Sequence, residues 1–144
     1  MISSFFIFLA CSIHHNTKGL IFQEEGKLQL GTVEGRTYIL HAGDDTAYLD
    51  HLGGCGATVS GTRFARHIWL EKWHITDAGD GSEPFIGTIA IQGVRIILRD
   101  MNTGQELEII EGEDLLSLDG APILITGIIV GAHQIQLIEY RVLE

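Results

Sequence analysis

The amino-acid sequence predicts an all-β protein built of two similar five-stranded units, and three observations support this. Glycine is frequent, at 18 of 144 residues, whereas proline occurs only twice. Glycines spaced between short apolar runs are typical of strands joined by tight turns. Hydrophobic residues make up 45% of the chain, enough to bury a core. The third observation is an internal repeat, which sets the number of units.

Residues 1–26 are predicted to form an apolar N-terminal segment and a tether. The apolar run from Ile2 to Ala10 is shorter than the roughly 20 residues that span a bilayer, but it suits the apolar part of a secretory signal. Its end, at Cys11, resembles a lipobox, in which lipid is attached to the cysteine. No lysine or arginine precedes the run, so either the true start lies upstream or the run is a buried strand. Residues 20–22 are predicted as an extra edge strand.

The first unit is predicted to occupy residues 27–77. Short apolar runs with alternating faces predict strands at 28–33, 37–41, 47–49, 57–62 and 68–76. A single helical turn is predicted at 49–52, between the third and fourth strands. Residues 78–84 form a connector, and its shortness favours two units packed against each other over two units on a flexible string.

The second unit is predicted to occupy residues 85–144 with the same order of elements. Its strands are predicted at 85–91, 94–100, 106–110, 123–128 and 133–143, and a short helix at 113–118. The sequence Asn102-Thr103-Gly104 is a good hairpin turn between the second and third of these strands.

The repeat is visible as self-similarity between the two units. Residues 49–61 align one for one with residues 115–127, including the pairs Gly54 with Gly120 and Gly61 with Gly127. Nearer the start of each unit, the best match places 31–33 on 87–89 and 35–41 on 93–99. In the last strand, Ile68, Leu70, Trp73 and Ile75 align with Ile135, Leu137, Tyr140 and Val142.

The last strand of each unit contains a three-residue step between apolar positions, from Leu70 to Trp73 and from Leu137 to Tyr140. Side chains two apart share a face of a strand, so a step of three would move the apolar residues to the other face. One extra residue in a β-bulge restores the face and bends the strand. The sequence therefore predicts a bulge at the same place in both units, as a coiled barrel requires.

Three strands, a short helical link and two further strands is the order of the OB-fold, a five-stranded Greek-key barrel. The step Leu52-Gly53-Gly54 into Val59-Ser60-Gly61 resembles small bacterial secreted or lipoprotein OB-like domains of unknown function. The resemblance covers residues 27–144 and implies two tandem OB-like barrels related by internal duplication. It implies little about function, because such barrels serve as binding modules, oligomerisation units and spacers.

The charge distribution argues against nucleic acid as a partner. The formal net charge is −10, with 19 acidic and 9 basic residues. Residues 27–77 carry six acids and five bases, whereas residues 85–144 carry nine acids and three arginines. A phosphate backbone is bound by dense lysine and arginine, which the second unit lacks.

The last strand of the first unit carries the best candidates for a binding surface. His67, Trp69 and Glu71 alternate on the face opposite Ile68, so we expect them outside the barrel. An exposed tryptophan is a typical interface anchor or stacking platform. The predicted partner surface consists of Arg66, His67, Trp69, Glu71 and His74. The same histidines and Glu71 could alternatively hold a transition metal.

Two further sets of residues have weaker claims. Asp77, Asp80 and Glu83 place oxygen ligands around a turn-forming glycine, an arrangement that suits calcium, but a plain connector with ordinary Asx turns is the favoured explanation. Cys55 aligns with Ala121, which favours a small buried residue at that position over a reactive thiol.

Taken together, these features predict a non-enzymatic binding or scaffold module, without a cofactor, that acts through contacts with a protein partner or a further copy of itself. We expect it in the cell envelope, attached to membrane only through lipid at Cys11, or in the cytoplasm if the N-terminal segment is not a signal. The alternatives are a small-ligand, carbohydrate or metal-binding domain and, less favoured, a single-stranded nucleic-acid-binding protein.

Overall fold

The computed structural model describes residues 14–144, which form ten strands and two short 3-10 helices. The predicted all-β class is therefore confirmed. The chain divides into two compact units, Met1–Asp80 and Gly81–Glu144. The division falls inside the predicted connector, residues 78–84.

The first unit is a closed ring of five strands. The strands are β1 (His14–Glu24), β2 (Lys27–Gly31), β3 (Thr37–His41), β4 (Gly56–Phe64) and β5 (His67–Asp77), with a 3-10 helix (Asp44–His51) before β4. Neighbours pair in the order β1-β2-β3-β5-β4, and β4 pairs again with β1. All pairs are antiparallel except β3 with β5, which run parallel.

The second unit has the same order of elements and the same pairing. Its strands are β6 (Phe85–Gln92), β7 (Arg95–Asp100), β8 (Glu106–Ile110), β9 (Pro122–Gly131) and β10 (Gln134–Val142), with a 3-10 helix (Glu113–Leu115) before β9. Neighbours pair in the order β6-β7-β8-β10-β9, and β9 pairs with β6. Here β8 and β10 are the parallel pair.

The start of the first unit differs from the prediction. Residues 14–24 form strand β1, which pairs with both β2 and β4. The expectation of a tether was therefore wrong for residues 14–19, whereas the strand predicted at 20–22 belongs to β1. The predicted strand at 47–49 lies instead within the 3-10 helix. The beginning of β1 is polar and shows no apolar alternation, so the sequence gives no sign of a strand. Its position is set by backbone pairing with β4, a strand distant in sequence.

The first strands also correct the alignment of the repeat. The N–H of Ile21 in β1 donates to the carbonyl of Cys55 at 2.9 Å, and the N–H of Ile89 in β6 donates to that of Ala121 at 3.0 Å. By this contact β1 corresponds to β6, whereas the sequence alignment placed β2 on β6. The alignment slipped by one strand because a glycine followed by apolar residues recurs in successive strands.

Eight buried apolar positions form the core of each unit, at places that correspond strand by strand. In the second unit they are Ile89, Ile96, Leu98, Ile109, Leu115, Ile123, Ile125 and Ile135. Their counterparts in the first unit are Ile21, Leu28, Leu30, Leu40, Leu49, Ala57, Val59 and Ile68. Burying a large aliphatic side chain contributes about 1.5–3 kcal/mol, so these residues dominate the stability of each unit.

The predicted bulge is confirmed in both last strands. In the first unit Ser60 pairs with Lys72 and Gly61 with Leu70, which leaves Glu71 as the extra residue. In the second unit Leu137 pairs with Gly127 and Glu139 with Thr126, which leaves Ile138 as the extra residue. Each bulge bends its strand at the point where the barrel must turn.

A glycine lies directly opposite each bulge because the strands approach too closely there for a side chain. A Cβ atom added to Gly61 would collide with the carbonyl oxygen of Trp69, and one added to Gly127 would collide with that of Gln136. Both partners are backbone atoms, which cannot turn aside as a side chain can. These two glycines are therefore required by the bend and not by any turn.

Replacing Gly61 with alanine should lower the free energy of unfolding by about 1–3 kcal/mol, the usual cost of forcing extra atoms into a packed region. Urea denaturation followed by circular dichroism measures it. Gly53→Ala is the matched control, because a Cβ atom there meets nothing within 4 Å. Equal stability of the two variants would show that the close approach does not constrain the strand.

Candidate binding surface

The structure places the predicted partner surface at the beginning of β5 and in the turn before it. Ile68 is buried, so its neighbours His67 and Trp69 lie on the outer side of the barrel. Trp69 is 45% exposed, and Phe64, which pairs with His67 across the hairpin, is 62% exposed. Together with a histidine from β3, these side chains place four aromatic or imidazole rings on this face.

That histidine is His41, which sequence reasoning missed. Strand β3 runs parallel to β5 and places His41 opposite Trp69. The two rings stack, with centroids 4.7 Å apart and planes inclined by 12°. His41 Nε2 lies 2.7 Å from His67 Nδ1, within hydrogen-bonding distance. We call His41, His67 and Trp69 the aromatic stack.

The electrostatics of the stack favour neutral imidazoles. Burial lowers the pKa of His41 below the ordinary histidine value of 6.5, and the charge of His67 lowers it further. The hydrogen bond has the same effect, because one ring nitrogen must donate and the other must accept. If both rings were protonated, two N–H groups would face each other at 2.7 Å. His41 is therefore disposed to remain neutral where it contacts His67 and Trp69.

The corresponding positions of the second unit hold no rings. Gln134 and Gln136 take the places of His67 and Trp69, and each amide donates to a carboxylate at 3.0 Å, of Glu108 and Glu111 respectively. The backbone pairing is nevertheless the same in both units. The barrel fold therefore does not require the aromatic stack, so the needs of the fold do not explain the presence of the stack.

The other predicted members of the partner surface lie apart from the stack. Glu71 is the bulge residue and is exposed, and His74 is exposed further along β5, opposite Thr58. Within the side chains described, residues 16–43 and 48–144, no three histidine, cysteine, aspartate or glutamate side chains converge on one ion position. The alternative metal site of His67, Glu71 and His74 is thus not assembled.

The same finding applies to the calcium alternative at Asp77, Asp80 and Glu83, which form no such group in the described part of the chain. Asp77 instead accepts a hydrogen bond from the N–H of Gly79 at 2.7 Å, which is an Asx turn. Cys55 is fully buried, as its alignment with Ala121 predicts. Cys11 lies outside the described residues.

Arg66 lies in the turn between β4 and β5, next to His67 in sequence. It lines a surface cavity of about 330 Å³ together with Arg36 and Arg63. The predicted surface therefore has two adjoining parts, one of stacked rings and one of guanidinium groups.

Comparison with known proteins adds no relative: no family model, no curated protein and no solved structure matches this chain. Over residues 14–144, no helix has the length and apolar character needed to cross a membrane.

In a Trp73→Phe variant, in which Trp69 is the only tryptophan, the stack predicts a pH-dependent fluorescence, because a protonated imidazole stacked on an indole quenches its emission. Emission should fall as the pH drops, with a midpoint below 6.5, since the pKa of His41 is lowered. His67→Gln should move this midpoint upward, because it removes the neighbouring charge that disfavours protonation of His41. His41→Gln should remove the part of the transition that is due to His41 and leave at most the contribution of His67, whose ring centroid lies 5.8 Å from that of Trp69. An unchanged transition in that variant would contradict the assignment to His41.

Proposed function

We propose that this chain is a non-enzymatic binding module that recognises a protein partner through the outer face of its first unit. The observation that supports this most directly is the stack of His41 on Trp69, which is half-exposed. The recognition surface consists of the aromatic stack, the adjacent Phe64 and Arg66.

Rigid aromatic surface is well suited to binding. Trp69 is held by rings on β3 and β5, so little side-chain entropy remains to be lost when a partner covers it. Large aromatic residues and arginine are also the types that contribute most to protein interfaces. Their presence in one unit and their replacement by glutamine in the other favours selection for binding over selection for stability.

The scaffold is proposed to be a duplicated OB-like barrel. Both units have the same cyclic strand order, a parallel pair of third and fifth strands and a helix before the fourth, and this agreement supports a five-stranded barrel of that kind in each. Backbone contacts support a common origin. Leu52 donates to the carbonyl of Leu49 at 3.1 Å, and Leu118 donates to that of Leu115 at 2.9 Å, at corresponding positions.

We place the module in the cell envelope, attached through lipid at Cys11, on the lipobox resemblance of the residues that end there. Mass spectrometry of the native protein tests this. The N-terminal peptide should begin at Cys11 with added acyl mass, and a Cys11→Ser variant should lack that mass. An unmodified N-terminal peptide that still contains Met1 would exclude lipidation and leave a cytoplasmic location.

Removing the exposed indole of Trp69 should strongly weaken binding of the protein partner. Trp69→Ala should weaken retention of a specific envelope protein on the immobilised chain by about 30-fold or more, the effect of losing an interface anchor of about 2 kcal/mol. Quantitative mass spectrometry of the retained proteins measures it, and Trp69→Phe should keep part of the binding.

The matched control is Val33→Ala, which removes an exposed apolar side chain from the same unit, away from the stack. Circular dichroism establishes that each variant is folded. Equal retention by Trp69→Ala and by Val33→Ala would show that the aromatic stack is not the partner surface.

A further inference from the structure

The three arginines of the first unit gather around one surface cavity. Arg36 lies between β2 and β3, Arg63 in β4, and Arg66 in the turn before β5. The cavity has a volume of about 330 Å³, which is within the range of small-molecule sites, and among the side chains that the structure describes, none of those lining it is acidic. We call it the arginine pocket.

The pocket is held in shape by contacts on each side. The guanidinium of Arg63 lies over the ring of Tyr38, 4.6 Å from its centroid, and that tyrosine is buried. The carbonyl of Arg66 accepts a hydrogen bond from the N–H of Ile39 at 2.7 Å. The loop that carries Arg36 is closed by the N–H of Thr32, which donates to the carbonyl of Arg36 at 2.8 Å.

Two arginines of the second unit form ion pairs with acidic side chains. Arg95 pairs with Glu108 at 2.7 Å, and Arg99 approaches Glu106 at 3.9 Å. By contrast, no side chain described in residues 16–43 and 48–144 forms an ion pair with Arg63 or Arg66. The nearest acid by sequence, Glu34, lines the adjoining cavity together with Lys18, Arg36 and Arg63. Hydrogen bonds to the backbone and to Thr32, and the charge of Arg36, lower the pKa of Glu34, so among the described side chains Arg36 faces one acidic group while Arg63 and Arg66 do not.

We infer that the arginine pocket binds a small oxyanion, a molecule that carries carboxylate or phosphate groups with two or more negative charges. Guanidinium groups present paired donors that match the oxygens of either group. Three like charges around one cavity repel each other, and an anion between them removes that repulsion. A protein of net charge −10 repels anions elsewhere, so binding would be confined to this pocket.

Isothermal titration calorimetry of the full chain tests the inference with two probes, inorganic phosphate and citrate, at constant ionic strength. Saturable binding of either supports it, and the tighter of the two identifies the phosphate or the carboxylate class. Arg66→Gln should weaken that binding at least 10-fold, because a charge-assisted pair of hydrogen bonds is lost. Absence of saturable binding by both probes would overturn the proposal.

Two further variants guard against indirect effects. Arg63→Lys keeps the charge and loses the planar fork, so it should weaken binding while the chain remains folded by circular dichroism. Arg99→Gln removes an exposed arginine from the second unit and should leave binding unchanged. If Arg99→Gln weakens binding as much as Arg66→Gln, the anion responds to overall charge and the pocket is not its site.

Discussion

Closing five short strands into a ring is the constraint on which the rest of this structure depends. The last strand of each unit must pair along its length with the fourth strand and also reach the third, so it has to bend. An extra residue, Glu71 or Ile138, provides the bend, and a glycine opposite allows the close approach. Closure leaves neither unit with an unpaired edge strand among the described residues.

The candidate binding surface is a direct consequence of that closure. His41 ends β3 and Trp69 lies near the start of β5, on strands separated in sequence by a helix and by β4. The two side chains stack only because the parallel pairing of β3 with β5, which closes the barrel, brings them face to face. The second unit closes in the same way but places glutamines and carboxylates there. Identical backbone pairing thus supports two different surfaces.

The two units also differ in how they treat positive charge. In the second unit the acids that accompany Arg95 and Arg99 neutralise them across neighbouring strands. In the first unit Arg36, Arg63 and Arg66 surround a cavity without an acidic lining residue. Surface arginines add little to stability, so the gathering of three of them at one cavity is better explained by an anion than by the fold. The aromatic stack and the arginine pocket are therefore both features of the first unit and have no counterparts in the second.

Sequence alone determined the all-β class, most strands from β2 onwards, the core positions and the bulge, because alternation of apolar residues is a local property that survives in any strand. It also identified Trp69 as exposed. Of β1 it found only residues 20–22, because the polar start of that strand is fixed by backbone pairing with a distant strand. It did not find His41, whose role depends on the parallel contact of β3 with β5. Contacts between residues far apart in the chain leave no periodic trace, so only the tertiary structure could decide the stack and the arginine pocket.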